Sequence, residues 1–432
     1  MQFTLTECVW LIIVYSFFGW TIETVTGTIK KKTFVNRGFS TGPFCLVYGI
    51  GALVMVVAFQ ELKSNLFFLF LGCAVLGTML EWMTGKLLER MNQHKWWDYS
   101  DKRWNFDGYI CLQYTVLWGI LGMLTVRYGD ENIVRLLHVI PDLFGTIVVW
   151  TLAAVCALDM AASYTAIIHI RRPVPKVVRI HRKAAVVLHT AIHRIIGRVE
   201  RRIVNVYPVE KRVASSTPKT GKFAEGCGFY KLFWLFLVGA VLGDFTETIF
   251  CRLTAGIWMS RSSLVWGPFS IVWGLAIAAA TALLYKDRDK PDRYLFFVGT
   301  FLGGGYEYLC SVFTEIVFGK IFWDYSEIPF NLGARINLLY CFFWGFAAVI
   351  WIKILYPRFS AWIEKLPAKA GCIFTWVLVI FMIANITVSM LALIRYDMRV
   401  KEIPPSNALE RLIDERFDDQ RMEQIYPNAK EK

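Results

Sequence analysis

The sequence lacks the short motifs that mark most nucleotide-binding and hydrolytic enzymes. It contains no Gly-x-x-x-x-Gly-Lys-Ser/Thr loop, no Gly-x-Ser-x-Gly, no His-Glu-x-x-His and no dinucleotide fingerprint. Its ten cysteines include no Cys-x-x-Cys pair and lie mostly in or beside apolar runs, so we interpret them as reduced core residues. We therefore expect no enzyme activity, no cofactor and no metal site, and any ATP has to be hydrolysed by another chain.

The start of the chain also lacks the features of a cleaved signal peptide. Residues Met1 to Glu7 carry no basic charge, and no small-residue cleavage site follows the first apolar run. We interpret that run as a first membrane span that the mature protein retains.

Charged residues are scarce and apolar residues abundant, which favours lipid as the solvent. Only 19% of the residues are charged and 56% are hydrophobic, and the mean hydropathy is +0.45. The apolar residues come in runs of about twenty, the length that crosses a bilayer as a helix. We expect an all-α polytopic membrane protein of about ten transmembrane helices. The spans are predicted near Cys8–Gly27, Gly42–Phe59, Leu66–Leu87, Tyr109–Val126, Leu143–Ile168, Phe229–Phe250, Trp266–Leu284, Tyr294–Phe318, Ile336–Leu355 and Cys372–Ile394.

The most specific signal in the sequence is an internal repeat with an offset of 224 to 226 residues. Loop residues match as well as apolar ones, so the similarity is not simply that of one apolar helix to another. The corresponding segments are Gly19-Trp-Thr-Ile-Glu-Thr and Gly243-Asp-Phe-Thr-Glu-Thr, Gly42-Pro-Phe and Gly267-Pro-Phe, Glu81 and Glu307, Trp97-Asp-Tyr-Ser and Trp323-Asp-Tyr-Ser, Asn105 and Asn331, and Trp118-Gly and Trp344-Gly. The chain is therefore predicted to contain two five-helix repeats.

Because five is odd, a second repeat that follows a connector on one side of the membrane has to enter from the opposite face. Loop charge agrees with this arrangement. The loop after the first helix contains Lys30–Lys32 and Arg37, whereas its counterpart contains only Arg252 and Arg261. Since the more basic side of a membrane protein is normally cytoplasmic, we predict inverted repeats with the connector inside and both termini outside.

These patterns divide the chain into four parts. They are a first membrane repeat (1–170), a basic amphipathic connector (171–228), a second membrane repeat (229–396) and a polar tail (397–432). The net charge of +13 is concentrated in the loops and the connector, so the expected partner is an anionic leaflet and not nucleic acid. The connector is interpreted as a topological anchor, with a regulatory or partner-docking element as the alternative.

Four glutamates recur as pairs inside the predicted spans, where an ionisable group is costly and therefore a candidate functional residue. They are Glu23, Glu81, Glu247 and Glu307. If the repeats are inverted, these carboxylates are expected to line one midplane cavity and to bind a cationic substrate or carry protons. The candidate counter-ions are Arg37, Arg261 and Arg335, and the alternative is that each glutamate simply pairs with an arginine or reaches the membrane interface.

The Trp-Asp-Tyr-Ser segments and the asparagines that follow them are interpreted as fold-specifying turns and not as catalytic groups. Their repeated residues are Trp97, Asp98 and Asn105 in the first repeat and Trp323, Asp324 and Asn331 in the second. Tryptophan and tyrosine at such positions are typical of the aromatic belt at headgroup depth.

Together, these repeated motifs resemble those of the ABC-transporter type IV (CmpB-like) membrane proteins of bacteria. The resemblance covers roughly Val9–Leu124 and Leu232–Trp351, and the Trp-Asp-Tyr-Ser block is its most specific part. It implies a multi-pass protein of the bacterial cytoplasmic membrane, a permease whose solute is undefined, with a separate ATPase subunit as a possible partner. It implies no catalytic residue.

Three functions remain open on this basis. The leading hypothesis is a transport protein with a cavity lined by the paired glutamates. The first alternative is a non-transporting membrane scaffold whose basic connector docks a cytoplasmic partner, with the glutamates specifying helix packing. The second is an intramembrane enzyme that acts on lipid-linked substrates, which lacks a nucleophile motif and ranks last.

Overall fold

The computed structural model of the 432-residue protein describes residues 3–34, 36, 41–92, 95–171, 222–427 and 430–431. The chain divides into two compact units, Met1–Ser215 (unit 1) and Ser216–Lys432 (unit 2). Most of the predicted amphipathic connector, and the candidate counter-ion Arg37, lie outside the described residues.

Unit 1 contains six described helices and one short strand pair. The helices are α1 (Leu5–Lys31), α2 (Leu46–Ala58), α3 (Leu66–Asn92), α4 (Leu112–Leu124), α5 (Asp130–Leu137) and α6 (Asp142–Arg171). A 3-10 turn (Gln60–Ser64) precedes α3, and a π-helical turn (Thr125–Gly129) joins α4 to α5. Strands β1 (Asn105–Phe106) and β2 (Ile110–Cys111) pair antiparallel before α4.

Unit 2 repeats this order and adds a folded tail. Its membrane helices are α7 (Phe229–Ala255), α8 (Ile271–Leu284), α9 (Asp292–Phe318), α10 (Leu338–Ile350), α11 (Tyr356–Ile363) and α12 (Ala368–Val400). Again a 3-10 turn (Tyr285–Asp287) follows the second helix, and a π-helical turn (Trp351–Leu355) joins the fourth to the fifth. The remaining elements are β3 (Lys320–Ile321), β4 (Asn331–Leu332), β5 (Ile336–Asn337), α13 (Ala408–Arg416), α14 (Asp419–Ile425) and β6 (Lys430–Glu431).

The all-α membrane architecture is confirmed, because each predicted span contains a helix. Six helices in the described part of the chain are long and apolar enough to cross a membrane by themselves. They begin at Leu5, Leu66, Asp142, Phe229, Leu338 and Ala368. The helix that begins at Leu338 runs through the π-helical turn to Ile363, a length of 26 residues.

Helices α2 and α8 are too short to span a bilayer alone. They have 13 and 14 residues, or about 20 Å at 1.5 Å per residue, against about 30 Å for the hydrocarbon core. Each starts beside the middle of the preceding helix, since Cys45 N–H donates to Ser16 O at 2.9 Å and Ser270 N–H donates to Ala240 O at 2.9 Å. The second span of each unit is thus a half-helix that follows a non-helical segment.

In unit 2 the polar tail folds back against α12. Phe417, Met422 and Tyr426 pack with Val265 and Leu393 in one buried cluster. The buried Arg395 side chain donates to both carboxylate oxygens of Asp414 at 3.1 and 2.6 Å, and β6 pairs with β3. The acidic run of the tail is therefore complementary to the arginines at the end of α12.

Candidate functional site

Each unit contains two helical hairpins that share one local design. In unit 1, Gly19 on α1 lies against Tyr48 on α2, and Gly77 on α3 lies against Trp118 on α4. A Cβ at Gly19 would lie 2.3 Å from Tyr48 Cγ, and a Cβ at Gly77 would lie 2.8 Å from Trp118 Cβ. Real carbon atoms never approach so closely, so only glycine lets each aromatic residue pack here.

The same contacts recur in unit 2. A Cβ at Gly243 would lie 2.1 Å from Trp273 Cβ, and one at Gly303 would lie 2.3 Å from Trp344 Cβ. The motif Gly-x-x-x-Glu facing an aromatic-Gly pair thus occurs four times in the chain, twice in each unit.

Because the glutamate lies one helical turn after the glycine, it faces the same aromatic side chain. Tyr48 Oη donates to Glu23 at 2.7 Å, and Trp118 Nε1 donates to Glu81 at 3.1 Å. In unit 2 the corresponding donors are Trp273 Nε1, at 2.6 Å from Glu247, and Trp344 Nε1, at 2.7 Å from Glu307. All four glutamates are therefore held by the aromatic residue opposite the preceding glycine. Each lies between the middle and the C-terminal end of its helix.

An aromatic pair brings the two hairpins of a unit together. The ring centroids of Tyr48 and Trp118 are 5.1 Å apart, and those of Trp273 and Trp344 are also 5.1 Å apart. Rings at this distance attract beyond the effect of their buried area. The structure thus places Glu23 and Glu81 around the two rings of unit 1. It places Glu247 and Glu307 around the two rings of unit 2.

A second donor reaches one glutamate of each pair from the Trp-Asp-Tyr-Ser segment. Tyr99 Oη donates to Glu81 at 3.1 Å, and Tyr325 Oη donates to Glu307 at 2.6 Å. Both carboxylates are therefore bound by one phenol and one indole. Neither has a lysine or arginine partner in the described part of the chain.

The other repeated residues of this segment bond within their own hairpin, at the same atoms in both units. Trp97 Nε1 donates to Tyr109 O at 2.9 Å, as Trp323 Nε1 does to Arg335 O at 3.0 Å. The remaining contacts follow the same pattern: Asp98 and Asp324 accept from the backbone N–H two residues on, and Asn105 and Asn331 donate to the turn. These contacts set the hairpin that carries Tyr99 and Tyr325 to the glutamates.

The two described candidate counter-ions have different partners. Arg261 Nε donates to Glu247 at 2.8 Å. Arg335 instead donates to Ser311 Oγ at 3.2 Å and to Glu315, which lies at the repeat offset of 226 from Glu89. Hence Arg261 belongs to the glutamate cluster of unit 2, whereas Arg335 holds the hairpin against the end of α9.

The fifth membrane helix of each unit clamps the non-helical segment that precedes the half-helix. In unit 2, Asn385 on α12 accepts from Trp266 N–H at 3.3 Å and donates to Trp266 O at 2.7 Å, while Ser389 accepts from Val265 N–H at 2.9 Å. In unit 1 the corresponding residue, Asp159 on α6, accepts from Gly42 N–H at 2.8 Å. Non-helical backbone at membrane depth needs such partners because lipid offers none.

The sequence singled out the glutamates as candidates but not the residues that hold them. Tyr48, Tyr99, Trp118 and their counterparts lie in the repeated motifs, yet nothing in a motif shows which side chain it faces. The equal spacing of glutamate and tryptophan in the two repeats could have indicated that they are in contact. Glu81 and Trp118 are separated by 37 residues, as are Glu307 and Trp344. The pair Asp159 and Asn385, at the repeat offset of 226, was likewise available.

Comparison with known proteins places the chain in a family. The sequence profile described as "Putative ABC-transporter type IV" matches residues 10–164 and again residues 234–390. No curated protein and no solved structure matches the chain significantly. Helix architecture and profile together define a multi-pass membrane protein of the transporter class. The chain belongs to the type IV ABC-transporter family so described, in two tandem copies.

Proposed function

We propose that the protein is the permease component of a transporter and that the glutamate pair of each unit binds the cation or proton that it moves. The family supports the transport role. One observation carries the assignment of the site: Glu81 and Glu307 each accept from two neutral donors and have no cationic side chain beside them in the described part of the chain.

A carboxylate in this position needs a positive partner. Burying an unpaired charge in a medium of low dielectric constant costs several kcal/mol, and two neutral hydrogen bonds offset only part of that cost. Either a proton or an external cation supplies the balance. The path is therefore proposed to pass the glutamate pairs, and the solute to be a small cation or one coupled to protons.

The pairing also explains why two hairpins are needed for each site. One hairpin supplies Glu23 or Glu247 and the other supplies Glu81 or Glu307, with the aromatic pair between them. In unit 2 the carboxylate of Glu247 is already paired with Arg261, so the added cation or proton is proposed to lie at Glu307.

The family and the sequence also support a proposal for the energy source and the location. Since the chain has no nucleotide-binding motif, we propose that a separate ATPase subunit binds it from the cytoplasm and that the protein lies in a bacterial cytoplasmic membrane. Co-purification of an ATPase with the full-length protein tests this part separately from the glutamate site.

The test of the site uses purified protein in proteoliposomes, with protons, methylammonium and choline as the probes. The double variant Glu81→Gln/Glu307→Gln is expected to abolish the movement of the probe that wild type carries, or to shift its pH dependence, while the amount of inserted protein stays the same. Glu131→Gln, which changes an exposed glutamate side chain (62% exposed), is the matched control and should behave as wild type.

Wild-type movement in the double variant would contradict the site assignment. If no probe and no solute moves with wild type, and deletion of 176–207 removes a bound cytoplasmic partner, the scaffold alternative replaces transport. The two outcomes are distinguishable because the scaffold does not require ionisable side chains at Glu81 and Glu307.

A further inference from the structure

The two units differ in how they neutralise the basic residue that follows the half-helix. In unit 1 the carboxylate of Asp130, at the start of α5, is completely buried. It accepts from Gln60 Nε2 at 2.8 Å and from Lys63 Nζ at 2.9 Å. The cation of this 3-10 turn therefore has an anion built into the chain.

In unit 2 the built-in anion is absent from that position. The residue at the repeat offset of 226 from Asp130 is Tyr356, which begins α11. The corresponding 3-10 turn ends at the buried Asp287 and is followed by the exposed basic residue Arg288. Lys353 Nζ donates to Lys290 O at 2.7 Å, as Arg127 Nη1 does to Lys63 O at 3.2 Å in unit 1, so the two turns are built alike.

A cavity of about 420 Å³ lies in unit 2 at this place. That volume is in the range of small-molecule sites. The rings of Tyr285 and Tyr356 meet edge to face, with centroids 6.1 Å apart, and form part of its wall. Its polar lining comprises Tyr285, Arg288, Asp289, Lys353, Tyr356, Ser360 and Glu364.

The carboxylates at the cavity leave its cations available. Glu364 is paired with the fully buried Lys231 at 2.7 Å. The Asp289 side chain is 91% exposed and lies 3.7 Å from Arg288 Nε, while Asp292 is 73% exposed and lies 3.6 Å from Lys353 Nζ. Water screens both exposed pairs, so each is weak. Arg288 and Lys353 thus retain donors for another anion.

We propose that this cavity binds a phosphate-bearing anion, with Arg288 and Lys353 as its cationic donors, in the place that Asp130 fills in unit 1. A guanidinium matches two phosphate oxygens at once, and an ammonium adds a point charge. The phosphate belongs either to the headgroup of an anionic lipid or to free phosphate. The cavity lies where helices α7 and α9 begin, and basic pockets at helix ends are typical lipid-headgroup sites.

The experiment uses delipidated full-length protein in detergent and two probes. Native mass spectrometry counts bound phosphatidylglycerol, with phosphatidylcholine as the reference lipid, and thermal shift at constant ionic strength detects inorganic phosphate, with chloride as the reference anion. The variants are Arg288→Gln, which removes a donor, and Tyr356→Asp, which gives unit 2 the carboxylate of unit 1. Arg293→Gln is the matched control, since Arg293 is an exposed arginine on the same helix end.

At least one probe is expected to bind wild type specifically, and to bind Arg288→Gln and Tyr356→Asp about tenfold more weakly, the loss of one charge-assisted hydrogen bond. Arg293→Gln should stay within about twofold of wild type. Which probe binds identifies the source of the phosphate. The proposal is overturned if neither probe binds wild type above its reference, or if Arg288→Gln binds as well as Arg293→Gln.

Discussion

The two units keep the same interior but carry opposite charges at corresponding ends. Glu7 on α1 pairs with His138 at 2.9 Å in unit 1, whereas Lys231 on α7 pairs with Glu364 at 2.7 Å in unit 2. The glutamate hairpins, in contrast, have equivalent donors in both units. The charges at this pair of helix ends therefore differ between the units, whereas the side chains that hold the glutamates correspond.

The largest effect is expected where this reversed charge pair is buried. Lys231→Glu places a carboxylate in a fully buried position beside Glu364 and should lower the free energy of unfolding by about 4 kcal/mol. Thermal unfolding in detergent measures it. Lys231→Glu/Glu364→Lys should recover part of the loss, because it restores opposite charges in the order found in unit 1. A double variant no more stable than the single one would break the comparison.

Next comes the close contact that both units share. Gly243→Ala introduces a Cβ within 2.1 Å of Trp273. The resulting overpacking should lower the free energy of unfolding by about 3 kcal/mol. Gly145→Ala is the control, since its Cβ would meet its nearest neighbour at an ordinary 3.5 Å. If both variants unfold at the wild-type temperature, the hairpins are not packed through these glycines.

The clamp on the half-helix should have a smaller effect. Asn385→Ala leaves Trp266 N–H and C=O without their side-chain partner. It should lower the free energy of local unfolding of this segment by about 2 kcal/mol. Thr387→Ala, on the same helix but exposed, is the control. Hydrogen exchange of 262–270 measures the local effect, and unchanged exchange in Asn385→Ala would show that the clamp does not hold this segment.

The smallest effect concerns the tail of unit 2. Hydrogen bonds from Arg395, and then from Arg399, hold the pKa of Asp414 below its ordinary value. The stabilisation is therefore complete above the ordinary pKa of about 3.9 and is lost as the pH falls through the lowered value. At neutral pH, Asp414→Asn should lower the free energy that holds the tail against α12 by about 1.5 kcal/mol.

Limited proteolysis within 408–425 measures that loosening. Wild type should become cleavable only at strongly acidic pH, whereas Asp414→Asn should be cleaved at neutral pH. Asp418→Asn is the control, because Asp418 caps α14 without contacting either arginine. Equal cleavage of the two variants would contradict the role of the ion pair in docking the tail.

Much of the fold was predictable because the chain contains its own second copy. Apolar runs located the helices, and the duplication picked out the four glutamates and the Trp-Asp-Tyr-Ser turns, without any structure. It did not predict that Glu81 accepts from Tyr99 and Trp118, because contacts between distant segments depend on how helices pack. The half-helices were missed for a related reason: apolar runs show length but not where a helix begins, and the start of α2 is set by its contact with Ser16.

Some predictions concern the two units together and stay predictions. The inverted arrangement is one of them, and so is the orientation that places the connector inside; a reporter fused after Lys211 tests that orientation, since an external location would exclude it. The single cavity lined by all four glutamates depends on the same arrangement. The pairing of glutamates within each unit does not.

Infrared difference spectroscopy of the purified protein tests the central claim most directly, that Glu81 and Glu307 hold a proton or a cation. Raising the pH, or adding the cation that the protein transports, should remove the C=O band of a protonated carboxylic acid in wild type. That change should be absent from Glu81→Gln/Glu307→Gln and intact in Glu131→Gln. An identical band change in wild type and in the double variant, or no change in either, would contradict the account.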